Sequence, residues 1–417
     1  MSAQKNKKMN KQNTLKPNTT KMRKTIIIAA LLTCTFVTAQ EAETIVSIIV
    51  NEHDAEWYAA QAEAWQKKVD DNPKDERAWR NLFYATNYYE MLSTGYGDEE
   101  SSPTASVIRR MEEALPDSYV LNLCKGRYCL KTDSTAMRGD NIYRAIELMP
   151  KDACDEEVNF LACRLWSIDP DNPLVGELFT KSYQQKGYPS RIMHYNMNML
   201  RSMQPQALYF ANGDVVTAPM KMIQDALNER QDVTVIPLSF LHSEPYMKAL
   251  YQRLNIAPPC IDVQDYGKYG EEWSSHYEAD LIMYLIKQSM RPTYFSTDIL
   301  QYTKLDKDSI YNEGILLKYS PRQYDNFTVA MHNVKEVYHL EYLAEPDLVY
   351  DSWMVGKHLS LNNVMLLSHL VLKLRKRGET EQADRLKNIL GKCLEYCKIP
   401  EAPVAQTIFN KETEEKK

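Results

Sequence analysis

The sequence predicts an α+β fold that is mostly α, with helical hairpins flanking a small α/β domain that contains a parallel βαβ unit. Three observations predict it. Residues 41–203 carry apolar positions at helical spacing, interrupted by prolines at a recurring interval. Residues 207–238 read as strand, polar turn, helix and strand. Residues 346–400 carry two amphipathic stripes separated by Gly378.

In chain order, residues 1–40 are expected to be an N-terminal extension and signal peptide. Thr25 to Phe36 are apolar or small, follow Arg23-Lys24 and precede Val37-Thr38-Ala39, a small-residue cleavage pattern. About a dozen residues suit a signal-peptide core and fall short of the roughly 20 that a spanning helix needs. Met22 is an alternative start. Cys34, after Leu31-Leu32-Thr33, offers a lipoprotein reading, which the bulk of Thr33 disfavours. The expected location is therefore periplasmic or outer-envelope, with no integral span once the signal is removed.

Charge narrows the partners. The chain holds 50 Lys and Arg against 56 Asp and Glu, and residues 1–40 contain eight of the cations and no acid. The remainder stands at 42 against 56, a net −14. Nucleic acid and anionic lipid both require a concentrated positive face, so neither is expected as a partner. The basic run Lys373 to Arg377 ends a predicted helix just before Gly378, where cations complement the helix dipole.

From residue 41 to 203 the breaks are periodic. Pro116 and Pro150 are 34 residues apart, and Pro73 lies 43 before Pro116, the surplus matching the loop from Gly95 to Pro103. Trp79, Leu82, Gly126 and Ala145 stand in the matching phase. This region resembles the tetratricopeptide family, in degenerate form: Arg138 replaces the usual alanine, and the spacing fails after Asp169-Pro170. Each hairpin of such an array leaves an apolar face that a neighbour must cover. Trp57, Trp65, Trp79, Tyr84, Tyr88 and Tyr89 are accordingly read as packing residues rather than ligand contacts.

Residues 204–345 form the expected α/β domain. Ala207 to Ala211 and Val233 to Leu238 are the strands; Thr217 is expected to cap a helix begun by Pro219. A single helix between two strands makes them parallel, so both following turns emerge at one carboxyl edge. Leu281, Ile282, Leu285, Ile286 and Met290 predict a helical face, Pro292 to Ser296 a third strand, and Ile315 to Tyr319 a further one stopping at Pro321. Residues 346–400 form the C-terminal hairpin, with Leu361, Val364, Leu367, Val371 and Leu374 facing Ala383, Leu386, Leu390 and Leu394. Residues 401–417 read as a disordered tail.

The centre also carries a family resemblance, through His194-Tyr195-Asn196, Pro205, Ala207 to Asp214, Pro219, Asp232-Val233 and Leu238-Ser239. Weaker echoes follow at Arg291 to Phe295 and Glu313 to Leu316. Residues 191 to 325 on these grounds resemble a bacterial family of multi-spanning envelope proteins related to protein O-mannosyltransferases, in the soluble part after their membrane helices. Val215-Val216 stand where that family continues with Asn-Asp, and its catalytic membrane part has no counterpart here. The resemblance implies a detached accessory or ligand-sensing module rather than a transferase.

The candidate ligand-binding residues are Asn212, Gly213 and Asp214 in the first turn and Ser239, His242 and Glu244 in the second, at the edge where open α/β sheets place ligands. A Ser, a His and an acid support acyl transfer when they touch in series, but Ser239 lacks a Gly-x-Ser-x-Gly elbow. The plain alternative is that Asn212-Gly213-Asp214 is a turn supplying positive φ and local hydrogen bonds. No catalytic residue is assigned. No His pair at ligand spacing, no Cys-x-x-Cys and no glycine-rich phosphate loop occurs in the sequence, so neither a metal nor a cofactor is expected. Seven cysteines follow residue 40, read mostly as small buried hydrophobes. Ser134 and Ser309, in Asp-Ser-Thr and Asp-Ser-Ile triplets, are candidate O-glycosylation sites. The functional expectation is an exported, non-enzymatic interaction module with an envelope protein partner and a glycan contact. The competing expectation is a hydrolase or glycan-acting enzyme at the Asp214 edge.

Overall fold

The computed structural model describes residues 41–93, 101–128, 135–344 and 354–397. Eight helices come first: α1 (Ala55–Asp71), α2 (Glu76–Ser93), α3 (Pro103–Ala114), α4 (Tyr119–Arg127), α5 (Thr135–Leu148), α6 (Asp155–Ile168), α7 (Pro173–Gln184) and α8 (Ser190–Ser202). Local chemistry sets their ends. Asp54, Ser102, Ser118 and Asn172 each accept a backbone N–H of the first turn, and Pro103 and Pro173 supply a preset φ at the start of α3 and α7. Pro73, Pro116 and Pro150 fall in the breaks before α2, α4 and α6, as their spacing predicts. Trp79 donates its indole N–H to Pro73 O at 3.0 Å, which ties the first break to the helix that follows it. A Cβ on Gly126 would lie 2.5 Å from Ile142 Cδ1, which explains a glycine where α4 meets α5.

The packing reading of the aromatics holds for four of the six. Trp65, Trp79, Tyr84 and Tyr88 are buried, whereas Trp57 and Tyr89 are partly exposed. The cysteine reading needs correction: Cys124 and Cys393 are buried, but Cys154 and Cys260 are exposed thiols.

The sheet follows: β1 (Leu208–Ala211), β2 (Thr234–Pro237), β3 (Thr293–Phe295), β4 (Ile310–Asn312) and β5 (Leu317–Tyr319), in the order β2-β1-β3-β5-β4. β1 runs parallel to both β2 and β3, with Ala211 opposite Pro237 and Phe210 opposite both Ile236 and Phe295. β5 and β4 are antiparallel additions. The unexpected β4 supplies the outer partner, and β5 begins at Leu317 rather than Ile315 because Glu313 N–H closes a turn on Leu316 O at 3.0 Å. Between strands lie α9 (Asp214–Leu227), α10 (Glu244–Leu254) and α11 (Trp273–Ser289); α12 (Asn326–His332) follows.

Helix α9 begins earlier than the sequence suggests. Gly213, not Thr217, caps it, and Pro219 sits inside it. An internal proline removes the N–H that would bond to the carbonyl four residues back, here that of Val215. Asn196 of α8 fills the gap: its Nδ2 donates to Val215 O at 2.8 Å and to Ile192 O at 2.8 Å, with the side chain fully buried. Thr217 Oγ1 instead donates back to Gly213 O at 2.8 Å.

The C-terminal hairpin is α13 (Met354–Lys376) and α14 (Thr380–Cys397). Gly378 takes φ +77, and Glu379 N–H returns to Leu374 O at 3.0 Å, closing α13. Leu361 of the expected stripe is exposed, and so is Met290, which adopts a left-handed φ at the end of α11 and therefore leaves the helix face. Lys373 and Arg377 of the basic run lie over the Phe327 ring at 4.4 and 4.3 Å, so their stems and charges cover a protein surface. Among the described residues no helix is long and apolar enough to cross a membrane.

Candidate functional site

The parallel strands bring the two polar turns to neighbouring tips of one sheet edge, and the side chains then separate. At the β1 tip, Asn212 donates its backbone N–H to Ser296 Oγ at 3.3 Å and its Nδ2 to Asp298 Oδ2 at 2.8 Å, fastening β1 to the residues after β3. Gly213 holds φ +90, open only to glycine at little cost. Asp214 opens α9, where a carboxylate suits the helix dipole. Its residue is exposed, yet crowding by protein desolvates the carboxyl and raises its pKa, with Arg127 pulling the other way. Asp214 in turn adds to the burial that pushes up the Cys163 thiol and the Tyr188 phenol. Its neighbours are thus residues of α4, α6 and the α7–α8 turn.

At the β2 tip the chain forms a 3₁₀ turn, Leu238–His242, rather than an open loop. Ser239 is exposed there, and among the described residues no hydrogen bond links it to His242 or Asp214. His242 Nε2 lies 2.9 Å from Glu278 Oε1. Ser274 Oγ donates to the same Oε1 at 3.0 Å and lies 3.3 Å from the same Nε2. Serial acyl-transfer geometry places the serine and the acid on opposite ring nitrogens; here both meet one nitrogen. Glu244 opens α10 and lines, with His242, a cleft of about 930 Å³ whose other walls include Met247, Tyr251, Gln252 and Tyr277.

Ser274, Glu278, Trp273 and Tyr277 are the residues the sequence reading missed. Their signal was present: Trp273 and Tyr277, and Ser274 and Glu278, are four apart, which puts each pair on one side of α11. Of the modification candidates, Ser309 is partly exposed in the turn before β4, 3.4 Å from Asp306 Oδ2, and Ser134 lies outside the described residues.

A second surface arises from α2, α4 and α6. Arg80 of α2 pairs with Glu157 of α6, which accepts the Tyr119 hydroxyl of α4 at 2.9 Å. The Arg127 guanidinium lies 5.0 Å from the Tyr84 ring centre, 4.3 Å from that of Phe160 and 3.5 Å from Glu156 Oε1. Arg127, Glu156, Asn159, Phe160 and Cys163 all remain partly accessible. Beside it, Glu43 to Ser47 lie extended on α1 and α2, held by side chains. Gln61 accepts Glu43 N–H at 2.8 Å and Trp65 donates to Glu43 O at 2.7 Å; Asn81 accepts Ile45 N–H at 2.7 Å and Arg80 donates to Ile45 O at 3.0 Å. Ile45 and Ser47 are buried while Thr44 and Val46 point outward, the alternation of a strand.

Among the described residues no cluster of three or more His, Cys, Asp or Glu could hold a metal ion. No curated protein and no solved structure matches the chain significantly. Residues 192–371, from α8 through the sheet into α13, match the family model described as TMEM260-associated domain 2, a stretch that contains Asn196, Asp214, His242 and Glu278.

Proposed function

We propose that this protein is an exported, non-enzymatic interaction scaffold of the cell envelope, accessory to envelope glycan or glycoprotein assembly. Its tetratricopeptide-like face would receive an extended segment of a protein partner. The observation that supports this most is the α2, α4 and α6 surface, where Arg127, Phe160 and Glu156 stay partly accessible although all three helices meet around them. Arginine and aromatic side chains in such a setting are the usual anchors of protein interfaces. The backbone grip of α1 and α2 on Glu43 and Ile45 is a nearby instance of helix side chains holding an extended chain without reading its sequence. Export rests on the Thr25 to Ala39 pattern, and the link to glycoprotein assembly on the match over residues 192–371.

The test is capture from an envelope fraction with the intact protein and with the Arg127→Glu, Phe160→Ala double variant. A partner retained by the first and lost from the second, with unchanged circular dichroism, supports the role. Equal capture by both refutes it. Cell fractionation checks the location: recovery in the cytoplasm alone would remove the envelope assignment.

A further inference from the structure

The β2 tip opens into a cleft that the interaction role leaves unused. His242 and Tyr277 line it, 5.4 Å apart, and a run of rings continues beside it: the exposed Trp273 lies 5.7 Å from His242, the buried Tyr266 lies 5.5 Å from Tyr277, and the exposed Tyr269 lies 6.1 Å from Tyr266. Trp273 and Tyr269 keep 37% and 40% of their surface exposed. Burying them elsewhere in the fold would be favourable, so their exposure costs stability unless something covers them.

The polar groups narrow what that is. The cleft presents neutral hydrogen-bonding groups in Gln252 and Asn255, with His242 at its mouth. Glu278 and Ser274 fix the imidazole from behind, leaving ring Nδ1 without a bond among the described residues. Glu244 and Lys248 offset each other's charge on the wall. A surface of ring faces beside amides and an imidazole, with no net charge on the cleft walls, matches a ligand with apolar C–H faces and many neutral hydroxyls. A highly charged ligand would lack a counter-charge, and a purely apolar one would bury the amides unpaired.

We propose that this cleft binds a neutral carbohydrate chain, stacking one sugar face on Tyr277 inside it and a second on the exposed Trp273 beside His242, and hydrogen-bonding hydroxyls to His242, Gln252 and Asn255. The cleft volume of about 930 Å³ holds more than one sugar ring. Binding here does not depend on the helical face, so either reading can fail alone.

Titration calorimetry of the full chain with cellotriose, mannotriose and triacetylchitotriose tests it. At least one sugar should bind saturably, with affinity falling tenfold or more in both Trp273→Ala and Tyr277→Ala and severalfold in His242→Ala, while the thermal midpoint moves little. Arg127→Glu should bind as the parent does. No saturable binding by any of the three, or binding unchanged in the folded Trp273→Ala and Tyr277→Ala variants, overturns the proposal. So does saturable binding of a tyrosine-rich acidic peptide that is lost in Tyr277→Ala while none of the sugars binds, which would assign the cleft to a protein ligand.

Discussion

The tips of β1 and β2 are neighbours in the same sheet and carry similar polar residues, yet they are built to opposite ends. The β1 tip is closed. Asn212 is bonded to Ser296 and Asp298, Gly213 supplies a backbone conformation, and Asn196 repairs the helix that follows. The β2 tip is open: Ser239, His242 and Glu244 are exposed, and the network behind His242 faces a cleft. Equal polarity in sequence therefore says little about availability. What decides it is whether neighbouring elements have already used the hydrogen-bonding groups.

The largest test of that contrast is Asn196→Ala. It leaves Val215 O buried without the donor that replaces the Pro219 N–H, and should lower unfolding free energy by about 3 kcal/mol in urea melts. Adding Pro219→Ala restores an intrahelical donor, so the double variant should recover a clear part of the loss. Strict additivity would show that Asn196 does not serve the proline gap. Next, Gly213→Ala meets no atom within 4 Å but forces a side chain into φ +90, and should cost about 2 kcal/mol from backbone strain alone.

Smaller again is Asn212→Ala, expected to cost about 1 kcal/mol by releasing Asp298, against a change below about 0.5 kcal/mol for His242→Ala at the open tip. Equal losses at the two sites would end the distinction between them. Finally, Asp214 sharpens it through pH. Its folded pKa is raised by desolvation, so folding favours the protonated carboxyl, and stability from this group is present below the unfolded pKa of about 3.9 and lost as pH rises through the folded value. Asp214→Asn should therefore be no less stable than the parent at pH 7 and show a flatter stability profile above pH 4. A variant less stable at pH 7 would mean that the charge has a favourable partner.

Much of the fold was legible because it rests on local signals. Short apolar runs bounded by turn residues marked β1, β2 and β3, and the single intervening helix fixed β1 and β2 as parallel. Pro73, Pro116 and Pro150 located the breaks between hairpins. The start of α9 was misread for an identifiable reason. Thr217 two residues before Pro219 has the form of a cap and first turn, and only a donor from another helix allows that proline to sit inside. The misplacement of Met290 is similar, since its left-handed φ removes it from a stripe that periodicity alone would extend. The candidate site was half legible. The turns were found, but Trp273, Ser274, Tyr277 and Glu278 belong to a helix whose buried face drew attention away from its other side.

The sequence by itself determined where chain segments start, stop and alternate, because capping, proline geometry and side-chain periodicity act within a few residues. It also determined a net acidic composition beyond residue 40. Only the tertiary structure decided which polar groups are spent and which are free. Asn196 reaching Val215, Asp298 reaching Asn212 and Glu278 reaching His242 join residues 19, 86 and 36 positions apart. Hydrogen bonds over such separations depend on how helices pack against the sheet, a property of shape in three dimensions that no local pattern encodes.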